Sequence, residues 1–574
     1  MKFSTITIYT YLSMFIGCLW TPTQCLFAQV QVGPPDRYRI EFTDKNHNDY
    51  TIDQPQFFLS ERALQRRSRQ GITITQADIP VSSCYIDSLK QMGIEVLNTS
   101  RWFNSSIIRC SPDDIEKLQK IDFIKHTPEI PRDTLSDTIV DKGYNLETLF
   151  SFLFQKKKKE NDKSLYDAPV VFYGQAVDQV GMMNGQALHN RGFRGKGMLI
   201  AVIDGGFYKV NELSGFDCLR HSGRLHGIRN FTPETDDDED DDENSHGTNV
   251  LSIIACNLPG RMMGSAPDAE YVLLRSEESA TEYLVEEDNW ITAVEYADSL
   301  GVDVITSSLG YTLFDDVSQN HRHDDLDGHT VRASYAATMA AARGMIVCVS
   351  AGNDGDNRWK LVSVPADADS VVTVGAVDRK GQYVAFSSVG YTADKRIKPD
   401  LMAMGRETAY QSSMGNIQTG NGTSYSTPLL AGMISCLWQA YPNKGNMDII
   451  DMVKRSASYY NQPDTLYGYG IPDFTKLIKP ESLSFKAKNT SYTLSVHSDM
   501  HTGGFRLHLS PALHGRINIR IRTVIGQQIF SKTDYVSGYD ALELLVDGSR
   551  NFPSGTYMVE ARTDAGKITT IAVK

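Results

Sequence analysis

Cysteine is scarce in this sequence. Only eight cysteines occur among 574 residues, and none belongs to a Cys-x-x-Cys pair. This spacing excludes the common zinc and dithiol motifs. Cys256, Cys348 and Cys436 lie within apolar runs, so we expect buried free thiols at these positions. Cys84 and Cys110 could form a disulfide in an oxidising compartment, but the sequence leaves their pairing open.

Long apolar runs are also missing beyond the N-terminus. No later segment reaches 18 consecutive apolar residues, so we expect no transmembrane segment. The N-terminus has Lys2, an apolar stretch over residues 6–20, and small or polar residues up to Ala28. This pattern predicts a secretory signal peptide at residues 1–28. The alternatives are a buried N-terminal helix and lipid attachment at Cys18.

Basic residues are outnumbered. The chain has 57 lysines and arginines against 70 acids, a net charge of -13, which argues against nucleic acid as a partner. Eight consecutive acids, Asp236–Glu243, supply more than half of that charge. We interpret the acidic run as a solvated loop insertion. The alternatives are a calcium site or a preference for basic substrates.

The length and the local composition divide the chain. At about 150 residues per domain, the length predicts roughly three to four domains. Residues 37–131 combine strand and helix patterns and predict a small α+β unit, and the charged stretch 132–168 predicts a linker. In residues 169–480 apolar strands alternate with helices, which predicts an α/β fold: a doubly wound, mostly parallel sheet with helices on both faces. Short alternating segments in residues 482–574 predict a C-terminal β-sandwich.

Three segments of the central domain carry residues suited to nucleophilic catalysis. Asp204 ends an apolar strand, His246 begins His-Gly-Thr, and Ser424 lies in Gly-Thr-Ser-Tyr-Ser-Thr-Pro at the start of an apolar helix. A serine is a weak nucleophile until an imidazole accepts its proton, and an acid must hold that imidazole in the right tautomer. Taken singly, each residue could equally serve a turn or a helix end.

The order of these residues and their glycine-rich surroundings resemble the subtilisin-like serine peptidases. The family pattern is Asp-Ser/Thr-Gly, His-Gly-Thr and Gly-Thr-Ser-x-x-x-Pro, and the chain matches the last two in full. Gly205 departs from the first, because it lacks a hydroxyl that could bond to Asp204. The resemblance implies that Ser424 is the nucleophile, His246 the general base and Asp204 the orienting acid.

The same resemblance implies an oxyanion hole and two edges that bind substrate. Asn353, within Ser-Ala-Gly-Asn-Asp-Gly, would donate its amide to the developing oxyanion, beside the backbone N–H of Ser424. The segments Ser308-Leu309-Gly310 and Ser350-Ala351-Gly352 would pair with an extended peptide through backbone hydrogen bonds. We expect no metal ligands in the site and no cofactor for catalysis, with a structural calcium ion left open. The polar loop His321–Asp325 looks metal-like, but no wider ligand pattern surrounds it.

The flanking regions also carry resemblances. A subtilisin-like domain implies that residues 37–131 are a prodomain that assists folding and inhibits the site until it is removed. The alternative is an accessory domain that is never removed. The last 60 or so residues, with Gly555–Val559 and Gly566–Ile568, resemble the C-terminal sorting domains of the type IX secretion route. That resemblance implies outer-membrane secretion machinery as a partner; the alternative is a β-sandwich for adhesion or carbohydrate binding.

The sequence therefore predicts a serine endopeptidase that acts on proteins or peptides. It would be secreted through the periplasm or held at the cell surface. The second hypothesis is a catalytically inactive surface protein with a peptidase fold that functions in binding or adhesion. No motif specifies the substrate preference.

Overall fold

The computed structural model describes residues 30–34, 36–125, 173–232 and 244–478, together with strands and short turns between residues 494 and 573. The predicted signal peptide at 1–28, the predicted linker at 132–168 and the acidic run Asp236–Glu243 lie outside the described residues. Within the described part of the chain, no helix is long and apolar enough to cross a membrane.

The N-terminal unit is a four-stranded antiparallel sheet in the order β1-β2-β4-β3, with helices packed against it. Its elements are β1 (Val30–Gln31), β2 (Arg37–Glu41), α1 (Glu61–Arg69), α2 (Ser83–Gln91), β3 (Glu95–Ser100), β4 (Ser105–Arg109) and α3 (Pro112–Leu118). Ser60 and Ser111 begin α1 and α3 because their hydroxyls accept backbone N–H groups that no helical carbonyl can reach. The predicted mixture of strands and helices is therefore present.

A seven-stranded sheet forms the centre of the molecule. Its strands in chain order are β5 (Leu199–Asp204), β6 (Leu225–Asn230), β9 (Glu270–Arg275), β10 (Val304–Ser307), β11 (Ile346–Ser350), β12 (Val372–Val377) and β15 (Leu401–Met404). The spatial order is β15-β12-β11-β10-β5-β9-β6, and every neighbouring pair is parallel. The sheet predicted as mostly parallel is thus parallel throughout. The strand order reverses direction at β5, and in such sheets ligands bind beyond the carboxyl ends of the strands at that point.

Helices cover both faces of this sheet. They are α4 (Val177–Gly181), α5 (Gln186–His189), α6 (Asp217–His221), α7 (His246–Ala255), α8 (Val285–Leu300), α9 (Arg332–Ala342), α10 (Thr423–Ala440) and α11 (Asn446–Ser456). Smaller antiparallel pairs join β7 (Asn257–Leu258) to β8 (Met262–Met263), β13 (Gly390–Tyr391) to β14 (Ile397–Lys398), and β16 (Thr408–Gln411) to β17 (Ile417–Gly420). Single 3₁₀ turns occur at Pro55–Phe57, Gln76–Asp78, Ser214–Phe216, Val317–Gln319, His323–Asp325, Phe474–Leu477 and Ser549–Asn551.

The buried side chains of β5 show why the sheet needs helices on both faces. Ile200 and Val202 belong to one hydrophobic cluster, with residues of α7, α10 and α11. Leu199, Ala201 and Ile203 belong to another, with residues of α8 and α9. Successive side chains of a strand point to opposite faces, so a continuous apolar run must be covered on both.

The C-terminal region is rich in β-structure. Its strands are β18 (Leu494–Ser498), β19 (Phe505–Leu509), β20 (Gly515–Thr523), β21 (Gln528–Val536), β22 (Leu542–Leu545), β23 (Thr556–Thr563) and β24 (Gly566–Val573). They form antiparallel sheets in the orders β18-β19-β22 and β21-β20-β23-β24, whose buried residues share one hydrophobic cluster. The Tyr535 hydroxyl donates to the carbonyl of His189 at 3.0 Å, which ties this region to the central domain.

Helix α8 carries the contact between the N-terminal unit and the central domain. The Glu295 carboxylate accepts from the Ser100 hydroxyl at 2.5 Å and from the backbone N–H of Arg101 at 2.8 Å. One turn further on, Asp298 is fully buried and pairs with the guanidinium groups of Arg66, Arg67 and Arg101. The N-terminal unit is therefore anchored to the central domain by buried, charge-assisted bonds.

The cysteines within apolar runs are buried, as the sequence predicts. Cys256, Cys348 and Cys436 are buried and free. Cys84 and Cys110 are also free, so the disulfide alternative is not formed in this structure.

Candidate active site

The candidate acid and base lie where the central strand ends. Asp204 is the last residue of β5 and is fully buried, and His246 is the first residue of α7, with 38% of its side chain exposed. The Nδ1 atom of His246 lies 2.6 Å from Oδ1 of Asp204. An ionised carboxylate can accept hydrogen bonds but cannot donate them. In a neutral His246 the proton therefore lies on Nδ1, and Nε2 is left as an acceptor.

Gly205, which follows Asp204, changes the hydrogen-bonding groups around the acid. Oδ1 of Asp204 also accepts the backbone N–H of Gly205 at 2.8 Å, whereas Oδ2 is buried without a hydrogen-bond partner among the described residues. A Cβ atom at residue 205 would lie 3.0 Å from Nδ2 of Asn244. Oδ1 of Asn244 accepts the backbone N–H of His246 at 3.0 Å. Asn244 therefore lies beside the position where the family pattern carries a hydroxyl side chain, and it supports the histidine backbone.

Electrostatics favour the protonated form of the imidazole. The negative charge of Asp204 raises the pKa of His246 above its ordinary value, and burial of the ring opposes this only in part. The hydrogen bond to Asp204 and the charge of Glu277 raise this pKa further. A histidine with a raised pKa is a stronger base, which suits a group that must accept a proton from a hydroxyl.

Ser424 begins the long buried helix α10. Gly422 precedes the helix with φ at +151°, a conformation that favours glycine. The Ser424 hydroxyl donates to the carbonyl of Ser308 at 3.3 Å, and the structure records no bond between it and His246 in the described residues. A serine hydroxyl rotates freely about its C–O bond, and catalytic hydrogen bonds are often long or misaligned without substrate.

A proline within α10 explains a second contact of the serine. In an α-helix the N–H of residue 428 would bond to the carbonyl of residue 424, but Pro428 has no N–H. The hydroxyl of Ser308 donates to that carbonyl instead, at 2.9 Å. Ser308 and Ser424 thus bond to each other in both directions, which fixes the start of α10 against the end of β10.

Asn353 is held so that its amide nitrogen stays available. Its Oδ1 atom accepts the backbone N–H of Thr423 at 2.9 Å and the Thr423 hydroxyl at 3.1 Å. Because a backbone N–H can bond only to an acceptor, the amide oxygen must face Thr423, and Nδ2 is the atom left to donate. The side chain is exposed and lies next to Gly422, which precedes α10, the helix that carries Ser424.

The two predicted substrate edges lie side by side after β10 and β11. The hydroxyl of Ser350 donates to the carbonyl of Leu309 at 3.2 Å and joins them. Gly310 is exposed, while Leu309 and Gly352 are partly buried. Gly352 has φ at +105°, and a Cβ atom there would lie 2.7 Å from the Ser388 hydroxyl. The remaining edge residues, Ser308, Ser350 and Ala351, are buried, so any contact of theirs with a substrate would be through the backbone.

Comparison with known proteins supplies independent evidence. The model of the subtilase family matches residues 195–470, and that of the peptidase S8 propeptide domain of Bacteroidota matches residues 37–142. Residues 195–470 form the subtilase domain of a serine peptidase. The family resemblance and the subtilisin-like fold expected from the sequence are therefore confirmed.

Individual relatives agree with this subtilase assignment. Subtilisin NAT from Bacillus subtilis subsp. natto is 27% identical over 404 residues, covering 66% of this chain and 94% of that protein. Subtilisin E from Bacillus subtilis (strain 168) is 26% identical over the same length and coverage. The epidermin leader peptide processing serine protease (EpiP) from Staphylococcus aureus superposes with a TM-score of 0.51 at 18% identity. It covers 79% of this chain and 99% of that one, and it supports the fold alone.

The subtilase domain also contains an acidic cavity that the sequence did not predict. It has a volume of about 420 Å³, and its lining includes Gly205, His246 and Leu309. Four acidic residues also line it: Glu277, Glu278, Glu282 and Asp315. The sequence signal for it was the pair Glu277 and Glu278, which begins two residues after the end of β9, at the edge of the sheet where Asp204 also lies.

The metal-like loop does not assemble a site. His321 is buried and its Nε2 bonds to Glu287, while His323 packs edge-on against Trp359. Among the described residues, the group of three potential metal ligands that come within 4.8 Å of one another is Glu277, Glu282 and Glu286. The acidic run Asp236–Glu243 lies outside the described residues, so the calcium alternative cannot be placed on it.

Proposed function

We propose that this subtilase hydrolyses peptide bonds in proteins or peptides through Ser424, His246 and Asp204. The hydrogen bond between Asp204 and His246 at the carboxyl edge of the sheet carries this proposal. That bond selects the one tautomer in which Nε2 can accept a proton. Ser424, at the N-terminus of α10, is the hydroxyl that the family motif assigns to this base.

The reaction follows from these positions. The Ser424 hydroxyl turns from the Ser308 carbonyl to Nε2 of His246, loses its proton and attacks the scissile carbonyl. Nδ2 of Asn353 and the backbone N–H of Ser424 donate to the resulting oxyanion. His246 then protonates the leaving amine, and water releases the acyl group. No cofactor is needed, because side chains and backbone supply the proton transfer and the charge stabilisation.

The inactive alternative predicts a different outcome for one experiment. In the active enzyme, Ser424→Ala abolishes both hydrolysis of denatured protein and labelling by a fluorophosphonate. The matched control is Ser412→Ala, which removes a hydroxyl from the hairpin turn between β16 and β17. Undiminished hydrolysis in Ser424→Ala would disprove the triad assignment, and a wild-type protein that neither cleaves nor labels would favour a binding role.

The N-terminal unit is proposed to be an inhibitory prodomain that is cut away during maturation. The propeptide match at residues 37–142 and the buried contacts with α8 support this role. Cleavage would fall in or near the predicted linker at residues 132–168. Mass spectrometry of the mature protein tests this proposal, because an intact N-terminal unit in an active enzyme would favour a permanent accessory domain.

We propose that the chain is exported from the cytoplasm. The signal-peptide pattern at residues 1–28 and the propeptide match support passage out of the cytoplasm. The C-terminal region is proposed to be a β-sandwich that outer-membrane machinery of the type IX route recognises, leaving the enzyme released or at the cell surface. Deletion of residues 482–574 should then leave the protein in the periplasm; unchanged surface delivery would instead favour an adhesion or carbohydrate-binding domain.

A further inference from the structure

The acidic cavity lies at the point where the sheet reverses its strand order. Gly205 follows β5, Glu277 follows the neighbouring strand β9, and Leu309 follows β10 on the other side. The catalytic histidine forms part of the same wall. No lysine or arginine lines this cavity within the described part of the chain. It is therefore a negatively charged recess that opens directly onto the proposed catalytic cleft.

A buried carboxylate oxygen without a hydrogen-bond donor lies behind two of the glutamates that line the cavity. The carboxylates of Glu277, Glu282 and Glu286 approach within 4.8 Å of one another. Glu286 is 1% exposed, and its Oε1 accepts the backbone N–H of Glu278 at 3.0 Å. Its Oε2 is buried and has no hydrogen-bond partner in the described residues. A buried oxygen without a hydrogen-bond partner is unfavourable, so a ligand that brings hydrogen-bond donors would stabilise the cluster.

Two linked loops form the mouth of the cavity. The backbone N–H of Glu282 donates to Oδ2 of Asp315 at 3.1 Å, and the backbone N–H of Asp315 donates to the carbonyl of Glu282 at 2.8 Å. Glu282 is partly buried and Asp315 is exposed. The acids thus range from the exposed Asp315 at the mouth to the buried Glu286 behind the cavity lining.

Burial and neighbouring acids disfavour the ionised form of this cluster. Burial raises the pKa of Glu282 to about 7, and the charges of Asp315 and Glu287 add to the shift. Burial and neighbouring acids also raise the pKa of Glu286. A positive charge in the cavity would favour the ionised carboxylates and offset their mutual repulsion.

Three observations identify the occupant as a substrate side chain. The cavity shares His246 and Leu309 with the cleft where the substrate would lie, and its volume of about 420 Å³ far exceeds that of a single ion. Arg37 of the N-terminal unit pairs with Glu278, a lining residue, so this carboxylate already binds a guanidinium in the uncut chain. We propose, on the basis of the peptidase function above, that the cavity is a specificity pocket for a lysine or arginine of the substrate. That residue lies within four positions of the scissile bond on its acyl side.

The experiment uses the processed enzyme and fluorogenic peptides that differ only at one acyl-side position. At each of the four positions the residue is Arg, Lys, Gln, Leu or Glu, and kcat/KM is measured. At one position, Arg or Lys should exceed Gln by about tenfold or more, because the basic side chain makes charge-assisted bonds to a desolvated carboxylate. Raising the salt concentration should reduce this ratio, since mobile ions screen the attraction at the partly exposed mouth.

Variants of Glu282 test whether the pocket causes the preference for a basic residue. Glu282→Gln should lower the ratio of Arg to Gln several-fold, and Glu282→Lys should favour the Glu peptide. The matched control is Glu212→Gln, an exposed glutamate that does not line the cavity, and its ratio should equal that of the wild type. If a Glu282 variant does not fold, the salt dependence of the Arg-to-Gln ratio in the wild type still tests whether the preference is electrostatic.

Three outcomes overturn the pocket. Ratios near one at all four positions, in an enzyme that labels with fluorophosphonate, would remove the pocket and leave the peptidase function intact. A wild-type protein that neither cleaves nor labels would remove both. Calcium binding that disappears in Glu282→Gln and that blocks cleavage of the Arg peptide would make the cluster a metal site instead.

Discussion

The hydroxyl of Ser308 donates to the carbonyl of Ser424 at 2.9 Å and occupies the place of a missing helical donor. Pro428 removes the N–H that would otherwise bond to this carbonyl. The motif that ends in Pro428 thus leaves the carbonyl of Ser424 without its helical donor, and Ser308, which follows β10, supplies a donor instead. This contact gives the Ser308 side chain a supporting role that its assignment to a substrate edge did not include.

We predict that Ser308→Ala destabilises the domain by about 1–3 kcal/mol, because it leaves a buried carbonyl without a donor. Pro428→Ala supplies a backbone N–H to the same carbonyl, so the double variant should lose less than the sum of the two single variants. Chemical unfolding in a Ser424→Ala background measures this, since that background prevents self-cleavage. Additive losses would show that the Ser308 bond is not the one that replaces the helical donor.

Asn353 offers a test that separates its two functions. Asn353→Ala should lower kcat by about 10²–10³, the loss expected for one oxyanion donor. Asn353→Asp keeps an oxygen for the Thr423 N–H but has no amide donor, so it should lose at least as much kcat while the melting temperature stays near that of the wild type. If Asn353→Asp retained kcat, the oxyanion would have to be bound elsewhere.

Much of the fold and the site could be predicted from local patterns. The apolar run before Asp204 predicted a buried strand, and the motif around Ser424 predicted a helix start, because both signals depend on neighbouring residues. The order of Asp204, His246 and Ser424 needed the family resemblance, since single motifs of this kind occur by chance.

What could not be predicted depends on contacts between distant loops. Glu282 and Asp315 meet only because the segments after β9 and β10 fold over the same edge of the sheet. The bond between Ser308 and Ser424 likewise joins residues far apart in the chain. Neither contact has a periodicity, a cap or a turn that would signal it in the sequence.

The raised pKa of His246 predicts the acidic limb of the pH profile. The charge of Asp204 raises this pKa above 6.5, and only the neutral imidazole accepts the serine proton, so kcat/KM should fall as the pH drops through a value above 6.5. Asp204→Asn should move the limb to lower pH and reduce kcat by about 10⁴. His226→Gln, which removes an exposed histidine outside the site, should leave the limb in place. A wild-type limb at or below pH 6.5 would contradict the stabilising role of Asp204.

Asp298 lies in the contact between the N-terminal unit and the central domain, and we expect its substitution to destabilise the precursor strongly. It is fully buried among the guanidinium groups of Arg66, Arg67 and Arg101. In the uncut Ser424→Ala precursor, Asp298→Ala should lower the free energy of unfolding by about 3–5 kcal/mol, because Arg66 and Arg101 lose a buried carboxylate partner and Arg67 keeps only Asp78. The control is Asp451→Ala, which breaks an exposed pair with Arg455 and should leave the free energy of unfolding close to that of the precursor.

The same residue gives the contact a pH dependence whose sign follows from its pKa. Burial alone would raise the pKa of Asp298, but Arg101, Arg66 and Arg67 outweigh it and lower the value. A carboxyl with a lowered pKa contributes its full stability above the unfolded value of about 3.9 and loses it as the pH falls through the lower folded value. The precursor should therefore lose stability below about pH 4, and Asp298→Ala should flatten that loss in thermal melts recorded against pH. An equally steep loss in Asp298→Ala would assign the acid sensitivity to other carboxyl groups.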